Sequence, residues 1–417
     1  MLRGKKLNYQ WVIVAASFVL CFTGLGFCSG NKGLFLTAVT EALDISRGAY
    51  AVSDSLRYIT TAVTNLFFGV LVMKFGTRKL VGLGVGALAL SCLVSSLATN
   101  VIGIYAGGAL LGLGLTFGGT TIVGYIVKRW CKKNQGTILG IVMCANALGT
   151  AVSAPFISKM INSDVFGYQT AYRLIALILL VVGVVLVLVF RDAPKAETLP
   201  QNKKSKGATW EGITFSQALR KPYFYIACIC IFFTGAVLQS VTGVAAAHME
   251  DRGLGDSFIA TATSVYALSL AAFKFLTGVM YDKKGLKFTM LVCDGAAVVM
   301  IVLLAIVSGS TEGQVIAMAY SVLAGLALPL ETIMLPLIAG DLFGEKEFGK
   351  MLGIFVSVNT AGYAVGPLVS NLCFDAIGTY TPVFFVYGAL MVGVTAAFMF
   401  ALKKAKTTQA QLCTQED

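Results

Sequence analysis

Residues 69–79 read GVLVMKFGTRK, and residues 278–288 read GVMYDKKGLKF. Both follow G-x-x-x-D-[RK]-x-G-x-[RK], except that Met73 stands where the first copy would carry its aspartate. The glycines allow a tight turn and close helix contact, and the charges can cap and latch the helix ends on either side. A second pair repeats further along. KNQGTILGIVMCANALGTAVSAP begins at Lys133, and KEFGKMLGIFVSVNTAGYAVGP begins at Lys346. The offsets are 209 and 213 residues, so one half of the chain duplicates the other.

What flanks these repeats is oil. Of 417 residues 57% are hydrophobic and only 12% charged, with a mean hydropathy of +0.81. A soluble domain carries roughly 25% charged residues. Apolar runs long enough to cross about 30 Å of hydrocarbon recur from end to end. They are solidly apolar and not alternating, which excludes a transmembrane barrel. The expected fold is an all-α membrane protein of twelve transmembrane helices in two pseudo-symmetric six-helix bundles. The spans are expected near 10–36, 50–73, 80–98, 102–127, 137–160 and 170–190, then 222–247, 257–281, 288–308, 314–338, 350–372 and 380–402.

The expected domains are an N-terminal bundle over 1–191, a polar linker over 192–221, a C-terminal bundle over 222–403 and a tail over 404–417. MLRGKK followed by an apolar stretch imitates a signal peptide, but without a small-x-small cleavage site it reads as the start of a retained first helix. The ten cysteines are scattered with no CxxC pair, so they read as small packing residues, with neither a disulfide framework nor a metal site expected.

The formal charge of +12 raises the question of nucleic acid, and its placement answers it. In the twelve-span reading, 25 of the 32 lysines and arginines fall on the side that holds both termini and the 192–221 loop. Arg47, Lys159, Arg173 and Arg252 fall on the other. Lys32, Arg57 and Lys274 lie within spans. This positive-inside bias predicts cytoplasmic termini in a plasma or bacterial inner membrane. The basic balance then reflects topology and attraction to membrane lipid, not nucleic acid.

The duplicated loop in two equivalent places resembles the major facilitator superfamily, over nearly the whole chain. Within it, LNYQWVIVAASF, GNKGLF, RWCKKNQGTILG and ALRKPYFY resemble the monocarboxylate transporter and bacterial oxalate–formate antiporter group. The resemblance implies two halves related by an axis along the membrane normal, with substrate bound midway between them. It also implies a gating motif at Gly69, Lys74, Gly76 and Arg78, and again at Gly278, Asp282, Lys283 and Gly285. The missing acid at Met73 leaves the second copy as the stronger latch.

An ionised lysine in the bilayer costs about 3 kcal/mol. Lys32 either snorkels outward or meets an anion, with Gly30 and Gly33 leaving room for it and Asn31 beside it. In the related transporters a lysine at this place responds to proton and substrate. Lys274 lies eight residues, about 12 Å along a helix, before Asp282. It occupies the position where relatives carry a carboxylate-binding arginine, and an ammonium grips a carboxylate with less geometric constraint than a guanidinium. The aspartate of the proton-coupled animal members falls on Leu270, and the antiporters' second lysine falls on Asn359. A singly charged acid is therefore expected over a dicarboxylate.

Arg57 either lines the cavity or pairs with Asp54 three residues earlier. Glu331 is the best remaining carboxylate for proton coupling or for neutralising Lys274. Asp294 is expected to brace the nearby loop, and His248 to be an interfacial side chain. Small residues in GLGLTFGG, including Gly118 and Gly119, suit close packing or cavity space.

No Ser-His-Asp set, phosphate-binding loop or metal cluster stands out, so neither an enzyme nor a cofactor is expected. The reading is a secondary transporter of small organic monocarboxylates, lactate- or pyruvate-like, working by alternating access as a monomer. Lys32, Asn31, Arg57, Lys274 and Asn359 would contact substrate, and Lys32, Lys274 and Glu331 would couple to protons or a counter-anion. The alternatives are an exporter or antiporter of larger organic anions, bile-acid- or drug-like, and a non-transporting membrane sensor.

Overall fold

The computed structural model describes residues 9–131, 133–161, 163, 166–192 and 212–415. The N-terminal basic cluster and most of the 192–221 linker lie outside the described residues. The chain divides into two compact units, Met1–Ala193 and Pro194–Asp417. Among the described residues the structure is helical, apart from one isolated bridge between Gly212 and Gly344.

In the first unit, α1 runs over Tyr9–Leu43. The helix Arg47–Leu97 is two spans meeting at Gly76, so 47–75 is α2 and 77–97 is α3. Then come α4 (Val101–Trp130), α5 (Gln135–Ile161) and α6 (Gly167–Val189). The second unit repeats the plan. α7 is Pro222–Asp251. Asp256–Ala305 folds at Gly285 into α8 (256–284) and α9 (286–305). α10 is Thr311–Thr332, continued by Met334–Phe343, and α11 and α12 are Phe348–Ile377 and Thr381–Gln415. Twelve spans thus emerge from ten uninterrupted apolar helices, because two of them contain a turn each. α12 carries its helix well beyond the expected end of the bundle at residue 403.

Bilayer logic is visible on α6. Leu177, Leu180, Val181, Val184 and Leu188 are exposed, while Ala176, Leu179, Gly183 and Leu186 are buried. Both faces are apolar, so polarity does not separate the buried face from the exposed one, as lipid solvation allows. Where polar caps exist, they follow the familiar rule. Ser46, Asn100 and Ser310 accept from Ala49, Gly103 and Gly313 amides at 3.1, 3.2 and 3.1 Å, each starting a helix at a turn.

Glycine sets the closest helix contacts at equivalent places in the two units. A Cβ on Gly26 of α1 would lie 2.7 Å from Gly149 Cα of α5. A Cβ on Gly235 of α7 would lie 2.6 Å from the Asn359 side chain of α11. Gly30 is likewise packed against Thr150, so it serves helix contact and does not leave room for an anion; Gly33 has open space. Gly118 and Gly119 also abut neighbours, Leu88 and Leu25 among them.

Helix α1 departs most from expectation. It is α-helical over Tyr9–Leu20, π-helical over Cys21–Ser29 and 3₁₀ over Lys32–Phe35, before an α segment Leu36–Leu43. The wide turns leave carbonyls without the usual i+4 amide, and side chains take their place. The Gly26 carbonyl accepts from Asn31 Nδ2 at 3.0 Å and Thr150 Oγ1 at 3.2 Å. Irregular backbone at membrane depth is tolerated where protein satisfies it, and such breaks mark functional helices.

Candidate functional site

In the first unit the break in α1 delivers Lys32 to α2. Lys32 Nζ lies 2.8 Å from Asp54 Oδ1 and donates to Ser53 Oγ at 2.8 Å. It also sits 5.5 Å from the centre of the Tyr50 ring. Arg57, one turn along α2, reaches the same Asp54 Oδ1 at 3.2 Å. Its Nη1 donates to Ser29 Oγ at 3.4 Å, and its guanidinium lies 4.5 Å from the Tyr58 ring. One carboxylate oxygen therefore serves two cations. The Lys32 and Arg57 side chains are 12% exposed and Asp54 is 38% exposed, so the carboxylate is the open member of the triad.

Two cations against one carboxylate leave one excess positive charge. Among the described residues the buried Nε of Arg57 has no hydrogen-bond partner. An unsatisfied donor on a buried cation is costly and is relieved by an anion. Behind Lys32 lies a cavity of about 30 Å³, walled partly by Tyr50, Ser53, Ser91, Ser95 and Tyr172. That is room for about one or two waters among polar partners.

Asn31 takes a different part. It is buried, and its amide donates to Gly26 O and, at 2.6 Å, to Ser153 Oγ of α5. It holds the α1 break in place, and through it the backbone of Lys32.

In the second unit Lys274 is 4% exposed, in a regular stretch of α8. Glu331 sits in the short helical turn Pro329–Thr332, where α10 is interrupted. It is buried, hydrogen-bonded to the Tyr363 side chain and within electrostatic reach of Lys274. Its Oε1 lacks a hydrogen-bond partner among the described residues. Lys274 and Glu331 thus lie within electrostatic reach of each other in the second unit, whereas Lys32 and Asp54 in the first are in direct contact at 2.8 Å. Asn359 is buried and donates to the Ile231 carbonyl at 3.3 Å, which ties α11 to α7.

Two expectations are corrected. His248 is 1% exposed, with Nε2 3.1 Å from the Leu304 carbonyl and Phe384 and Tyr380 edge-on to its ring. It is a core residue, not an interfacial one. Asp294 is buried beside Asn359, Thr234 and Ile231 around a small cavity in the bundle interior and not at the loop, and its Oδ2 has no hydrogen-bond partner among the described residues.

The paired turns also resolve. Gly76 and Gly285 have φ of 78° and 77°, the left-handed region that glycine enters without Cβ strain. At the first turn the acid lost at Met73 is replaced from elsewhere. Asp192, just past α6, accepts from the Thr77 amide at 2.5 Å, the Thr77 hydroxyl at 2.7 Å and the Arg78 amide at 3.3 Å. Arg78 Nε donates to the Val187 carbonyl at 2.6 Å. Lys74 and Met73 are exposed, and Gly69 is buried in α2. At the second turn Asp282 and Lys283 are exposed, Gly278 is buried, and the Tyr281 hydroxyl donates to Asp341 Oδ1 at 2.6 Å.

Asp192 and Ser53 escaped the sequence reading. Asp192 offered only a lone acid after an apolar run, and Ser53 a small polar residue in a span. Among the described residues no cluster of three or more potential metal ligands occurs.

A family model described as Major Facilitator Superfamily matches residues 14–245 and 227–412. Human monocarboxylate transporter 11 is 23% identical over 399 residues, covering 92% of this chain and 81% of that one. Multidrug resistance protein 2 of Bacillus subtilis is 22% identical, covering 96% and 98%. Two other bacterial relatives are matched over 56% of their own length, about half of each. A crystal structure of the E. coli fucose:proton symporter superimposes with a TM-score of 0.69 at 15% identity, over 95% of this chain and 99% of that one. The duplicated turns, the twelve spans and these matches converge: the chain is an integral multi-pass transporter that belongs to the major facilitator superfamily.

Proposed function

We propose that this transporter carries a small organic monocarboxylate by alternating access, coupled to a proton or exchanged for another acid. The observation that carries the reading is the Lys32–Asp54–Arg57 triad, two buried cations held by one half-open carboxylate. Asp54 is chemically a resident monocarboxylate. A substrate carboxylate of the same chemistry takes its place on Lys32 and uses the unsatisfied Nε of Arg57. The human monocarboxylate transporter relative supports that substrate class.

Charge accounts for the coupling. The resting triad carries one net positive charge. If a substrate anion enters as a proton neutralises Asp54, the net charge stays the same. The loaded and empty sites then differ little electrostatically, and both can undergo the same conformational change. Lys274 and Glu331 supply the corresponding cation and carboxylate in the second half. Asn359 carries no charge, which fits a singly charged acid. The basic asymmetry supports cytoplasmic termini in a plasma or bacterial inner membrane, and the transport unit is a monomer.

The test is uptake of labelled L-lactate and acetate into proteoliposomes with an acidic exterior, with leak into protein-free liposomes subtracted. Saturable uptake that is lost in Lys274→Ala supports the reading. Absence of protein-dependent uptake, with or without a preloaded acid, rejects it in favour of larger organic anions.

A further inference from the structure

At the second glycine turn the surface opens instead of closing. No atom lies within 4 Å of where a Cβ on Gly285 would stand. Beside it is a cavity of about 810 Å³, bounded by the start of α9, the end of Met334–Phe343 and the far end of α12. Lys284 and Lys287 line it from one side, and Lys403 and Lys406 from the other. One acidic side chain, Asp341, contributes to the wall. Its Oδ1 already accepts from Tyr281, and its carbonyl accepts from Gln409 Nε2 at 2.7 Å. Four ammonium groups against one carboxylate leave an excess of three positive charges.

The rest of the lining is apolar. Leu286 is buried and Phe400 is 52% exposed, so one part of the pocket presents charge and the adjoining part presents hydrocarbon and an aromatic face. Lys404 Nζ lies 5.6 Å from the Phe400 ring and Lys284 Nζ 5.7 Å from the Phe288 ring, so charge and aromatic surface adjoin. Lys284, Lys287, Lys403 and Lys406 stand where the apolar runs of the sequence give way to charge, the kind of position that meets lipid headgroups. A small inorganic anion would use the lysines and leave the apolar wall unfilled. An amphiphile with a phosphate head fills both.

We infer that this pocket is a binding site for an acidic phospholipid, with the phosphodiester among the four lysines and an acyl chain along Leu286 and Phe400. Nearby charges of this kind attract anionic lipid by about 1 kcal/mol per lysine near the surface, roughly a fivefold gain each. The contrast within the chain sharpens the assignment. The equivalent first turn instead receives an acid, Asp192, which accepts from the Thr77 amide and hydroxyl.

The experiment is native mass spectrometry of the full chain in detergent. It is titrated with phosphatidylglycerol, with phosphatidylcholine of the same acyl chains, and with glycerol 3-phosphate as competitor. The expected result is phosphatidylglycerol retained at least about tenfold more tightly than phosphatidylcholine. The Lys284→Gln/Lys287→Gln/Lys403→Gln/Lys406→Gln variant should lose that preference, and glycerol 3-phosphate should compete weakly. If the fourfold variant does not fold, the two paired variants, one per side, should each lose part of the preference. Rising salt should also erase it in the wild-type chain. Equal retention of the two lipids, or a preference that survives the substitutions, would overturn the site. Competition by glycerol 3-phosphate as strong as by the lipid would overturn the lipid assignment in favour of a small-anion site.

Discussion

The turns at Gly76 and Gly285 have nearly the same backbone, yet opposite surroundings. The first is clamped: Asp192 crosses from the end of α6 to cap the start of α3. The second is open, exposes Asp282 and faces a pocket of lysines. A duplicated motif therefore need not keep its acid in the motif, because any acid that reaches the helix N-terminus meets the same need. The buried charges repeat the lesson. Each half sets a lysine near a carboxylate, but the helices used are not equivalent. In the first, Lys32 on α1 contacts Asp54 on α2 directly, whereas in the second Lys274 on α8 lies only within electrostatic reach of Glu331 on α10.

The largest expected effect breaks the charge comparison. Lys32→Ala and Lys274→Ala should each lower saturable carboxylate uptake about 10- to 100-fold. If both lysines hold the substrate carboxylate as proposed, each substitution removes a charge-assisted bond of about 1.5–3 kcal/mol. If only one does so, the halves are not functionally equivalent.

Next are the turns. Gly285→Ala meets only the cost of a positive-φ, extended-ψ backbone that glycine alone enters readily, about 1–3 kcal/mol. Gly76→Ala bears the same strain and also places Cβ 2.6 Å from Asp192 Oδ2, which displaces the cap. Its loss should exceed that of Gly285→Ala by about 1–2 kcal/mol, measured by thermal unfolding in detergent. Equal losses would mean that Asp192 does not clamp the turn.

Asp192→Ala should itself destabilise by about 1–2 kcal/mol, as loss of a helix N-cap does. Asp282→Ala, at an exposed position, should stay within about 0.5 kcal/mol. The same melts decide it, and the reverse order would restore the motif's own acid as the main latch.

The smallest effect concerns the loop between α10 and α11. The Lys350 ammonium, and behind it the Phe215 amide, hold the Glu347 carboxyl below the ordinary carboxylate range, against an opposing effect of partial burial. A lowered folded pKa stabilises above the unfolded value, about 4.3 for glutamate, and that stability disappears as pH falls through the folded value. Glu347→Gln should therefore cost under about 1 kcal/mol at pH 6–8, and the gap to wild type should shrink as the pH drops below about 4. A gap that is constant across this range would remove the ionised carboxylate from the explanation.

The spans were legible because long apolar runs have one solution in lipid, and the turns because Gly76 and Gly285 recur at a fixed offset. The π-helical stretch of α1 was not. It depends on Gly26 meeting Gly149 and on Asn31 and Thr150 satisfying the freed carbonyl, contacts made only after folding. The Asp54–Arg57 pair could be read from its spacing on one helix, whereas Lys32 reaching Asp54 required the α1 break. His248 looked interfacial because its position at a helix end does not reveal the Phe384 and Tyr380 rings that cover it.

The most direct measurement follows acid-driven uptake and counterflow of labelled L-lactate in proteoliposomes, comparing wild type with Asp54→Asn. The account predicts saturable flux in both. Exchange should persist in the variant, while acceleration by an inward proton gradient, present in wild type, should be lost. Acceleration that survives in Asp54→Asn would contradict the role of Asp54, and absence of saturable lactate flux in wild type would contradict monocarboxylate transport itself.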